Sequence, residues 1–571
     1  MPRTGGARRR LTPPTLGPRA TLTTLLGLAA LAAIAVASPV ARAAASHAFI
    51  PEYSGTQTCL RCHPNAAAEV MKTPHWTWEH TDPATGQKLG KKNVINNYCI
   101  AVPSNEPRCT SCHVGLGYSD KNFDFTDPNK VDCLICHDTT GTYKKFPTGA
   151  GMPVSGAPKE FPAGSGVMWP APDLTHIARN VGNTSRDTCG ACHFYGGGGD
   201  AVKHGDLDST MFKPTRELDV HMGVDGANFS CSRCHGTRDH EMSGTSYPSG
   251  VADDRMCQQC HQTGPHASAT LNTHAARVAC QTCHIPAFAR GGKATKMWWD
   301  WSKAGRKTAD GKNIVTKDAN GNPIYDTQKG EFVWESNVTP EYVWFNGNMT
   351  YVSLDDTLDP DAITPINRLH GDLNDSKARI FPVKRFQGKQ PIDAGTKTLA
   401  VPHLFGSDTN AYWKAYDWNR SLAAGMQYIG RSYSGQLGFV STEMFWIQNH
   451  MVAPKEQALG CVDCHAPGSR MNFAALGYPE ARAASLQTLA GFTLGNLRRE
   501  ADGNGLRLEW SGKAGYAYQI QVSSDLKAWT SPTDGERRCE SADADLNWSV
   551  STSGADGSAM RFIRVVRSRI N

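Results

Sequence analysis

The pattern C-x-x-C-H occurs eight times in this chain of 571 residues and uses sixteen of its eighteen cysteines. Two thiols three positions apart, with a histidine directly after the second, form the attachment sequence of a c-type haem. The cysteines bind the porphyrin through thioether bonds, and the histidine ligates the iron. The eight motifs are Cys59, Cys62 and His63; Cys109, Cys112 and His113; Cys133, Cys136 and His137; Cys189, Cys192 and His193; Cys231, Cys234 and His235; Cys257, Cys260 and His261; Cys280, Cys283 and His284; and Cys461, Cys464 and His465.

Paired cysteines at this spacing also hold zinc or carry out dithiol redox chemistry, so a single motif would be weak evidence. Zinc binding or disulfide formation would not explain why a histidine follows the second cysteine in all eight motifs. The sequence therefore predicts eight covalently bound haem c groups with the motif histidines as iron ligands. Seven motifs lie between residues 59 and 284, close enough for their haems to form one electron path.

The composition favours a fold in which haem replaces much of the usual apolar core. The chain has 55 glycines and 33 prolines but few long apolar runs, which indicates a loop-rich structure. We predict a mainly α-helical, haem-packed multihaem cytochrome c core with many loops and long helices near its C-terminal end. Residues 409–452 are helix-prone, first around Tyr412 and Tyr416 and again from Glu443 to Met451. Helices packed side by side often mediate oligomers, so we expect a homo-oligomer.

The N-terminus has the features of a cleaved export signal. Three arginines at residues 8–10 precede an apolar stretch from Leu22 to Ala37, and small residues follow up to Ala45. A membrane anchor is the alternative, but the stretch is shorter than the ~20 residues that a spanning helix needs. We predict a signal peptide at residues 1–45 and a periplasmic mature protein. The net charge of +6 owes much to this segment, so we expect no nucleic-acid partner.

Two later parts of the chain have strand character. Between residues 285 and 345, Asp310-Gly311 and Asn320-Gly321 are hairpin-turn signals among several tryptophans, which fill cores more often than they line pockets. Near the end, apolar residues alternate from Leu506 to Trp510 and again from Tyr516 to Val522. We predict an octahaem cytochrome c domain at residues 46–484 and a small all-β, sandwich-like accessory module at residues 485–571.

A haem that only transfers electrons normally has a second strong ligand on its iron. Twelve of the 20 histidines lie outside the motifs, and several of these stand shortly before or after one. Methionine is the competing ligand, and Met222 and Met451 each adjoin a histidine. The predicted distal ligands are His75, His176, His204, His221, His240, His274 and His450, with His266 in reserve.

Cys99 and Cys539 are not needed for haem attachment. Cys539 falls in the predicted β module, where it is expected to be a bystander. Cys99 lies ten residues before Cys109. Burial as a small apolar residue is the usual fate of such a cysteine.

Several features of the chain resemble octahaem tetrathionate reductases. They are the eight C-x-x-C-H motifs without any C-x-x-C-K, the extra Cys99, and three segments. The segments are CLICHDTTGTYKK at residues 133–145, HAARVACQTCHIP at 274–286 and WDWS at 299–302. The resemblance spans roughly residues 50–480 and leaves out the signal and the β module.

In that family seven haems have two histidine ligands, and one has a lysine amine at its distal, catalytic face beside a free cysteine. The resemblance implies an active haem on Cys109, Cys112 and His113, with Cys99 in its pocket. Its distal ligand would be Lys144 or Lys145, between which the sequence does not decide. His370 and Asp300 are further pocket candidates.

The resemblance implies a periplasmic reductase supplied by a small periplasmic or quinol-linked electron donor. Its substrate would be a small sulfur or nitrogen oxyanion, namely tetrathionate, and also nitrite or hydroxylamine. The alternative is a non-catalytic electron conduit with eight bis-histidine haems and a structural Cys99. Twelve spare histidines would suffice for eight irons, so the histidine count does not separate these hypotheses. Hydroxylamine oxidation, which in relatives needs a tyrosine cross-linked to the haem, is a third.

Overall fold

The computed structural model describes residues 47–83, 85–244, 255–262, 264–488, 494–499, 505–512, 516–523, 529–539, 544–551 and 562–569. The predicted signal peptide, residues 1–45, lies outside the described residues. Within the described ranges, no helix is both long enough and apolar enough to cross a membrane.

The helices are short and scattered along the chain. In chain order they are α1 (Gln57–Leu60), α2 (Ala66–Val70), α3 (Pro74–Thr77), α4 (Glu106–Cys109), α5 (Leu134–His137), α6 (Leu174–Arg179), α7 (Arg186–His193), α8 (Arg255–His261), α9 (Ala269–His274), α10 (Cys280–His284), α11 (Tyr412–Ala415), α12 (Trp418–Tyr428), α13 (Cys461–His465) and α14 (Glu480–Thr488). Short 3-10 helices lie at Thr110–Cys112, Pro128–Lys130, Ser209–Phe212, Cys231–Arg233, Trp301–Lys303 and Lys455–Gln457.

The strands outnumber the helices in the described part of the chain. They are β1 (His80–Thr81), β2 (Lys88–Leu89), β3 (Lys159–Glu160), β4 (Met168–Trp169), β5 (Thr237–Arg238), β6 (Glu241–Met242), β7 (Thr295–Asp300), β8 (Val315–Lys317), β9 (Pro323–Asp326), β10 (Gly330–Glu335), β11 (Glu341–Phe345), β12 (Met349–Tyr351), β13 (Thr364–Pro365), β14 (Asn367–Leu369), β15 (Arg379–Asp393), β16 (Thr398–Leu399), β17 (Leu437–Ile447), β18 (Leu494–Arg499), β19 (Gly505–Gly512), β20 (Tyr516–Ser523), β21 (Glu536–Cys539), β22 (Ala544–Ser551) and β23 (Phe562–Arg569).

The prediction of a mainly α-helical fold is wrong. The longest helix among the described residues, α12, has 11 residues, whereas β15 alone has 15. A C-x-x-C-H motif needs only one helical turn to bring its three side chains to one face, so many motifs do not require long helices. Haem groups, rather than helix–helix contacts, would fill the space between these short turns.

A nine-stranded sheet forms the largest regular element, with strand order β13-β17-β15-β7-β10-β9-β8 and with β11 and β16 also paired to β15. β15 and β17 pair antiparallel along eleven residues of each strand. β7 runs parallel to β15, and there Gly388 lies opposite Trp299. A Cβ atom at position 388 would lie 2.7 Å from the carbonyl oxygen of Trp299, so this close approach of two backbones requires glycine.

The predicted helical region at residues 409–452 is helical only in its first half. α11 and α12 occupy the part around Tyr412, as predicted, but residues 437–447 form β17. Val440, Thr442, Met444 and Trp446 are buried along this strand, and the residues between them are partly exposed. This alternation has the period of two that is typical of a strand, with β-branched and aromatic residues on the buried face.

The two hairpin turns predicted between residues 285 and 345 are confirmed. Asn320-Gly321 closes the turn between β8 and β9, where the carboxylate of Asp318 accepts hydrogen bonds from the backbone N–H groups of Asn320 and Asn322. Gly311 closes a second turn and donates its N–H to the carbonyl oxygen of Thr308. Gly311 and Gly321 both have a positive φ, near 80°, which glycine adopts without strain.

The C-terminal strands form two three-stranded sheets, with orders β18-β19-β22 and β21-β20-β23. Leu508, Trp510, Tyr518, Ile520 and Trp548 form a buried core together with Cys539. The residues predicted to alternate therefore do form strands, and their apolar side chains face inward.

The predicted boundary at residue 484 falls inside α14 (Glu480–Thr488). Leu486, beyond that boundary, is buried against a cluster that includes Met471 and Phe473. Its carbonyl oxygen also accepts a hydrogen bond of 2.9 Å from Nδ1 of the motif histidine His465. The segment that supports the last haem motif therefore extends to Thr488, beyond the predicted boundary.

Candidate haem sites and a lysine-lined cavity

Seven of the eight motif histidines face a second histidine across a gap of nearly constant width. An iron bound by two imidazole nitrogens at about 2 Å each needs ring centroids about 6 Å apart. The pairs, with their centroid distances, are His63 and His47 (6.3 Å), His137 and His240 (6.3 Å), His193 and His75 (6.1 Å), His235 and His450 (6.3 Å), His261 and His221 (5.9 Å), His284 and His266 (6.1 Å), and His465 and His274 (6.0 Å). These residues fit bis-histidine haem iron. Each site is named below after the first cysteine of its motif, and the second histidine of each pair is called the opposing histidine.

Local structure explains how the motif residues reach one face. α5, α7, α8, α10 and α13 all end at a motif histidine. In one helical turn, positions i, i+3 and i+4 share a face, so both thiols and the imidazole point the same way. Nδ1 of His137 and of His235 each donate a hydrogen bond to a backbone carbonyl, which leaves Nε2 for a metal.

The opposing histidines come from several kinds of structure. His75 lies in α3, and His274 is the last residue of α9. His240 lies at the tip of the β5–β6 hairpin, where Asp239 and His240 both have positive φ, as the tight two-residue hairpin turn requires. His450 follows the end of β17. The large sheet and the small hairpins thus supply ligand candidates that helix packing alone would not.

Two predicted distal ligands do not oppose a motif histidine. The His204 ring packs edge-on against Trp446, with centroids 5.1 Å apart, and His176 is exposed on α6. Two other histidines lie opposite the motif histidines His63 and His284. They are His47, which is not among the predicted distal ligands, and His266, the reserve candidate. Closeness to a motif in the chain favoured all four equally, so the sequence held no signal that separates them.

His113, the eighth motif histidine, is turned away from any such gap. Its Nε2–H donates to the carbonyl oxygen of Trp76 at 2.5 Å, and the N–H of Gly115 donates to its Nδ1 at 3.0 Å. The ring is fully buried, with the Trp78 ring 4.9 Å and the Tyr118 ring 5.1 Å away. This burial lowers the pKa of His113 to about 3, so the ring is neutral. Both ring nitrogens are hydrogen-bonded to other parts of the chain in this structure, and ligation of iron by His113 stays a prediction.

A cavity of about 1260 Å³ adjoins the two cysteines of this same motif, Cys109 and Cys112. Its volume exceeds the roughly 300–1,000 Å³ of ordinary small-molecule pockets, and Cys192 of a second haem motif also lines it. Seven basic side chains line it against two carboxylates, Asp138 and Asp187. The basic residues are Lys91, Arg108, Lys144, Lys145, Lys203, Lys296 and Lys329. This excess of positive charge favours anions.

Lys144 and Lys145 both line the cavity, but their surroundings differ. The Lys145 side chain is 3 % exposed, and its amine lies 3.1 Å from the carboxylate of Asp132. The same amine donates hydrogen bonds to the carbonyl oxygens of His113 (2.5 Å) and Gly115 (3.1 Å). Lys144 is exposed. The structure therefore separates the two lysines, and only Lys145 reaches the backbone of the haem motif.

Cys99 also lines the cavity and is half-buried. It lies in a tight loop in which the N–H of Asn96 donates to the carbonyl oxygen of Ile100, and Ile100 has a positive φ. A Cβ atom at Gly198 would lie 3.3 Å from its sulfur, so a glycine leaves room beside the thiol. The two other pocket candidates are not on the cavity wall. Asp300 accepts hydrogen bonds from Ser302, and His370 hydrogen-bonds the hydroxyl of Thr350.

Comparison with known proteins identifies the family. The chain superposes on the crystal structure of an octahaem cytochrome c from Shewanella oneidensis with a TM-score of 0.67 and 46% sequence identity, over 74% of this chain and 93% of that chain. The chain belongs to the octahaem c-type cytochromes. The family model "Cytochrome c bacterial" matches residues 296–468, and "Cytochrome c554 and c-prime" matches residues 58–138. An uncharacterized protein of Archaeoglobus fulgidus is 23% identical over 235 residues, which are 34% of this chain and 78% of that protein.

The haem sites of this octahaem cytochrome form one connected set. Thiols of different motifs lie in hydrogen-bonding contact at Cys59 and Cys133, Cys112 and Cys192, and Cys189 and Cys231. Others are close enough to interact electrostatically: Cys136 with Cys189, Cys234 with Cys257, His261 with His284, and Cys283 with Cys461. The Cys189 site is the junction, because it adjoins the Cys109, Cys133 and Cys231 sites.

Two buried lysines of the cavity were not predicted from the sequence. The amine of Lys296 lies 3.9 Å from the ring centroid of Trp299 and 3.4 Å from that of Phe332. Burial outweighs this cation–π attraction and lowers the pKa of Lys296 well below its usual range. Burial likewise lowers the pKa of Lys203 to about 7. In the sequence, the tryptophans that follow Lys296 are the only signal of a pocket near it. No neighbouring residue in the chain distinguishes Lys203 from an ordinary surface lysine.

Proposed function

We propose that this octahaem cytochrome is a periplasmic reductase of tetrathionate that also reduces nitrite or hydroxylamine. Eight covalently bound haems would carry electrons from a small periplasmic or quinol-linked donor to one active haem at the Cys109 site. The other seven haems would be bis-histidine, with His47, His75, His221, His240, His266, His274 and His450 as the second ligands. The observation that carries the proposal is the cavity beside Cys109 and Cys112, which has an excess of basic side chains and is lined by both Lys145 and Cys99.

Lys145 is the proposed second ligand of the active haem, opposite the motif histidine His113. Its amine already lies against the backbone of the motif, at the carbonyl oxygens of His113 and Gly115. A lysine amine binds a metal only when deprotonated, against an ordinary pKa of about 10.4, so it is a displaceable ligand. Release of the amine would open that face of the haem to substrate.

The cationic lining supports an oxyanion as substrate, and Cys99 supports one with a sulfur–sulfur bond. The Cys99 thiolate would attack the central disulfide bond of tetrathionate, forming a mixed disulfide and expelling one thiosulfate. Two electrons supplied by the haems would then break the mixed disulfide, release the second thiosulfate and restore the thiolate. This balance consumes no proton. Nitrite and hydroxylamine reduction do consume protons, which Lys203, with its pKa lowered to about 7, would deliver.

The test replaces each of the two neighbouring lysines with leucine, which lacks the amine and has no atom that ligates iron. Lys145→Leu should convert one iron to a high-spin species and lower tetrathionate reduction by about 100-fold, or about 2.7 kcal/mol of barrier. Lys144→Leu, the matched control, should change neither. Electron paramagnetic resonance reads the ligation, and intact mass after denaturation should show eight haems on each processed chain.

The opposite result would favour the non-catalytic conduit. If all eight irons prove bis-histidine and Lys145→Leu leaves both spectrum and turnover unchanged, the lysine-ligated active haem does not exist. A mature protein with fewer than eight haems would refute the motif count.

A further inference from the structure

Two opposing histidines donate a hydrogen bond to a carboxylate instead of a neutral oxygen. Nδ1 of His450, at the Cys231 site, lies 3.2 Å from Oδ2 of Asp206. Nδ1 of His240, at the Cys133 site, lies 2.8 Å from Oε2 of Glu69. Two other opposing histidines meet neutral acceptors. His274 donates to the backbone carbonyl of Thr270, and His266 to the side-chain amide oxygen of Asn272.

The two carboxylates differ in burial. The Asp206 side chain is 2 % exposed, and its Oδ2 also accepts the backbone N–H groups of Asn449 (2.6 Å) and His450 (2.9 Å). Three N–H donors on one oxygen are what a buried carboxylate anion needs. Glu69, on α2, is 28 % exposed, and water screens its charge. Asp206 should therefore act more strongly on its histidine than Glu69 does.

A carboxylate behind a ligating imidazole makes the ring a stronger electron donor. The extra negative charge stabilises the more positive oxidised iron over the reduced iron, so the reduction potential falls. The Cys133 and Cys231 sites both adjoin the Cys189 junction, which adjoins the cavity at the Cys109 site. The two carboxylates thus lie on two branches that lead to one junction.

We propose that Asp206 and Glu69 are positioning residues that lower the reduction potentials of the haems at the Cys231 and Cys133 sites. Electrons that reach either haem would pass to the junction and on to the Cys109 site rather than remain on the branches. This inference rests on the bis-histidine pairs of the proposed function, but not on the identity of the substrate.

The test is a potentiometric titration followed by electron paramagnetic resonance, in the full-length holoprotein without substrate. Asp206→Asn keeps the shape and an acceptor but removes the charge. We expect one bis-histidine haem to favour the reduced form about tenfold more, a shift of about 59 mV upward for one electron. Glu69→Gln should give a smaller upward shift at a different haem. Asn272→Asp is the reciprocal control, and should lower the potential of the haem at the Cys280 site.

The inference is overturned if none of the three variants shifts a potential in the stated direction while all haems are retained. If Asp206→Asn loses haem because Asp206 is buried, the variants at the two more exposed residues, Glu69→Gln and Asn272→Asp, decide. Shifts of opposite sign in the reduction potentials of their haems support the inference, and unchanged potentials overturn it. Seven bis-histidine signals in the wild type with unshifted variants would refute this inference alone. A wild type without those signals would refute the histidine pairs themselves.

Discussion

The seven paired sites and the Cys109 site share one attachment motif but differ in where the motif histidine points. At the Cys280 site the His284 ring lies 6.1 Å from that of His266, with room for an iron between them. At the Cys109 site the His113 ring donates instead to the carbonyl oxygen of Trp76 and is enclosed by aromatic rings. The comparison teaches that the same motif can present its histidine differently, because the surrounding side chains decide what lies opposite the ring.

The largest expected effect concerns the thiol of Cys99, which lines the cavity at the Cys109 site but has no counterpart in the prediction for the paired sites. Cys99→Ser should lower tetrathionate turnover by about 100-fold, or about 2.7 kcal/mol of barrier, because a hydroxyl does not exchange with a sulfur–sulfur bond. Nitrite turnover should change far less, since nitrite has no such bond. Steady-state assays with both substrates measure the split, and Cys539→Ser is the matched control. An equal loss for both substrates would assign Cys99 a structural role.

A smaller effect concerns the charge of the cavity. Because the pKa of Lys203 is lowered to about 7, its amine is cationic below that pH and neutral above it. The KM for tetrathionate should therefore rise about tenfold as the pH rises through 7, since a contact with a charged group contributes about 1.5–3 kcal/mol. Lys203→Met should flatten this profile, whereas Lys213→Met, outside the cavity, should not. A wild-type profile that is flat across this pH region would contradict the role of Lys203.

The smallest effect tests the paired sites one at a time. His266→Ala should remove one bis-histidine signal from the electron paramagnetic resonance spectrum, because His266 opposes His284. His204→Ala should leave every such signal in place, because that ring packs against Trp446. Turnover should fall only a few-fold in either case. Loss of a signal from His204→Ala, with none from His266→Ala, would reverse the pairing.

The sequence was informative where chemistry depends on local spacing. The eight motifs, the strands of the C-terminal module and the turn at Asn320-Gly321 follow from residues that are neighbours in the chain. The sequence was misleading where a local helix preference competes with pairing between distant segments. Residues 437–447 fall in a segment predicted as helix, yet they pair with β15 along eleven residues, and this pairing outweighs a weak local preference.

The sequence by itself determined that this protein is a c-type cytochrome and predicted where each haem is attached, because both thiols and the histidine of a motif lie within one turn of chain. Only the tertiary structure decided which side chain lies across each iron site. It brings His47 to His63 and His450 to His235, and it turns His113 toward Trp76. Opposing ligands come from segments that are remote in the chain, so their identity depends on packing and burial rather than on local spacing.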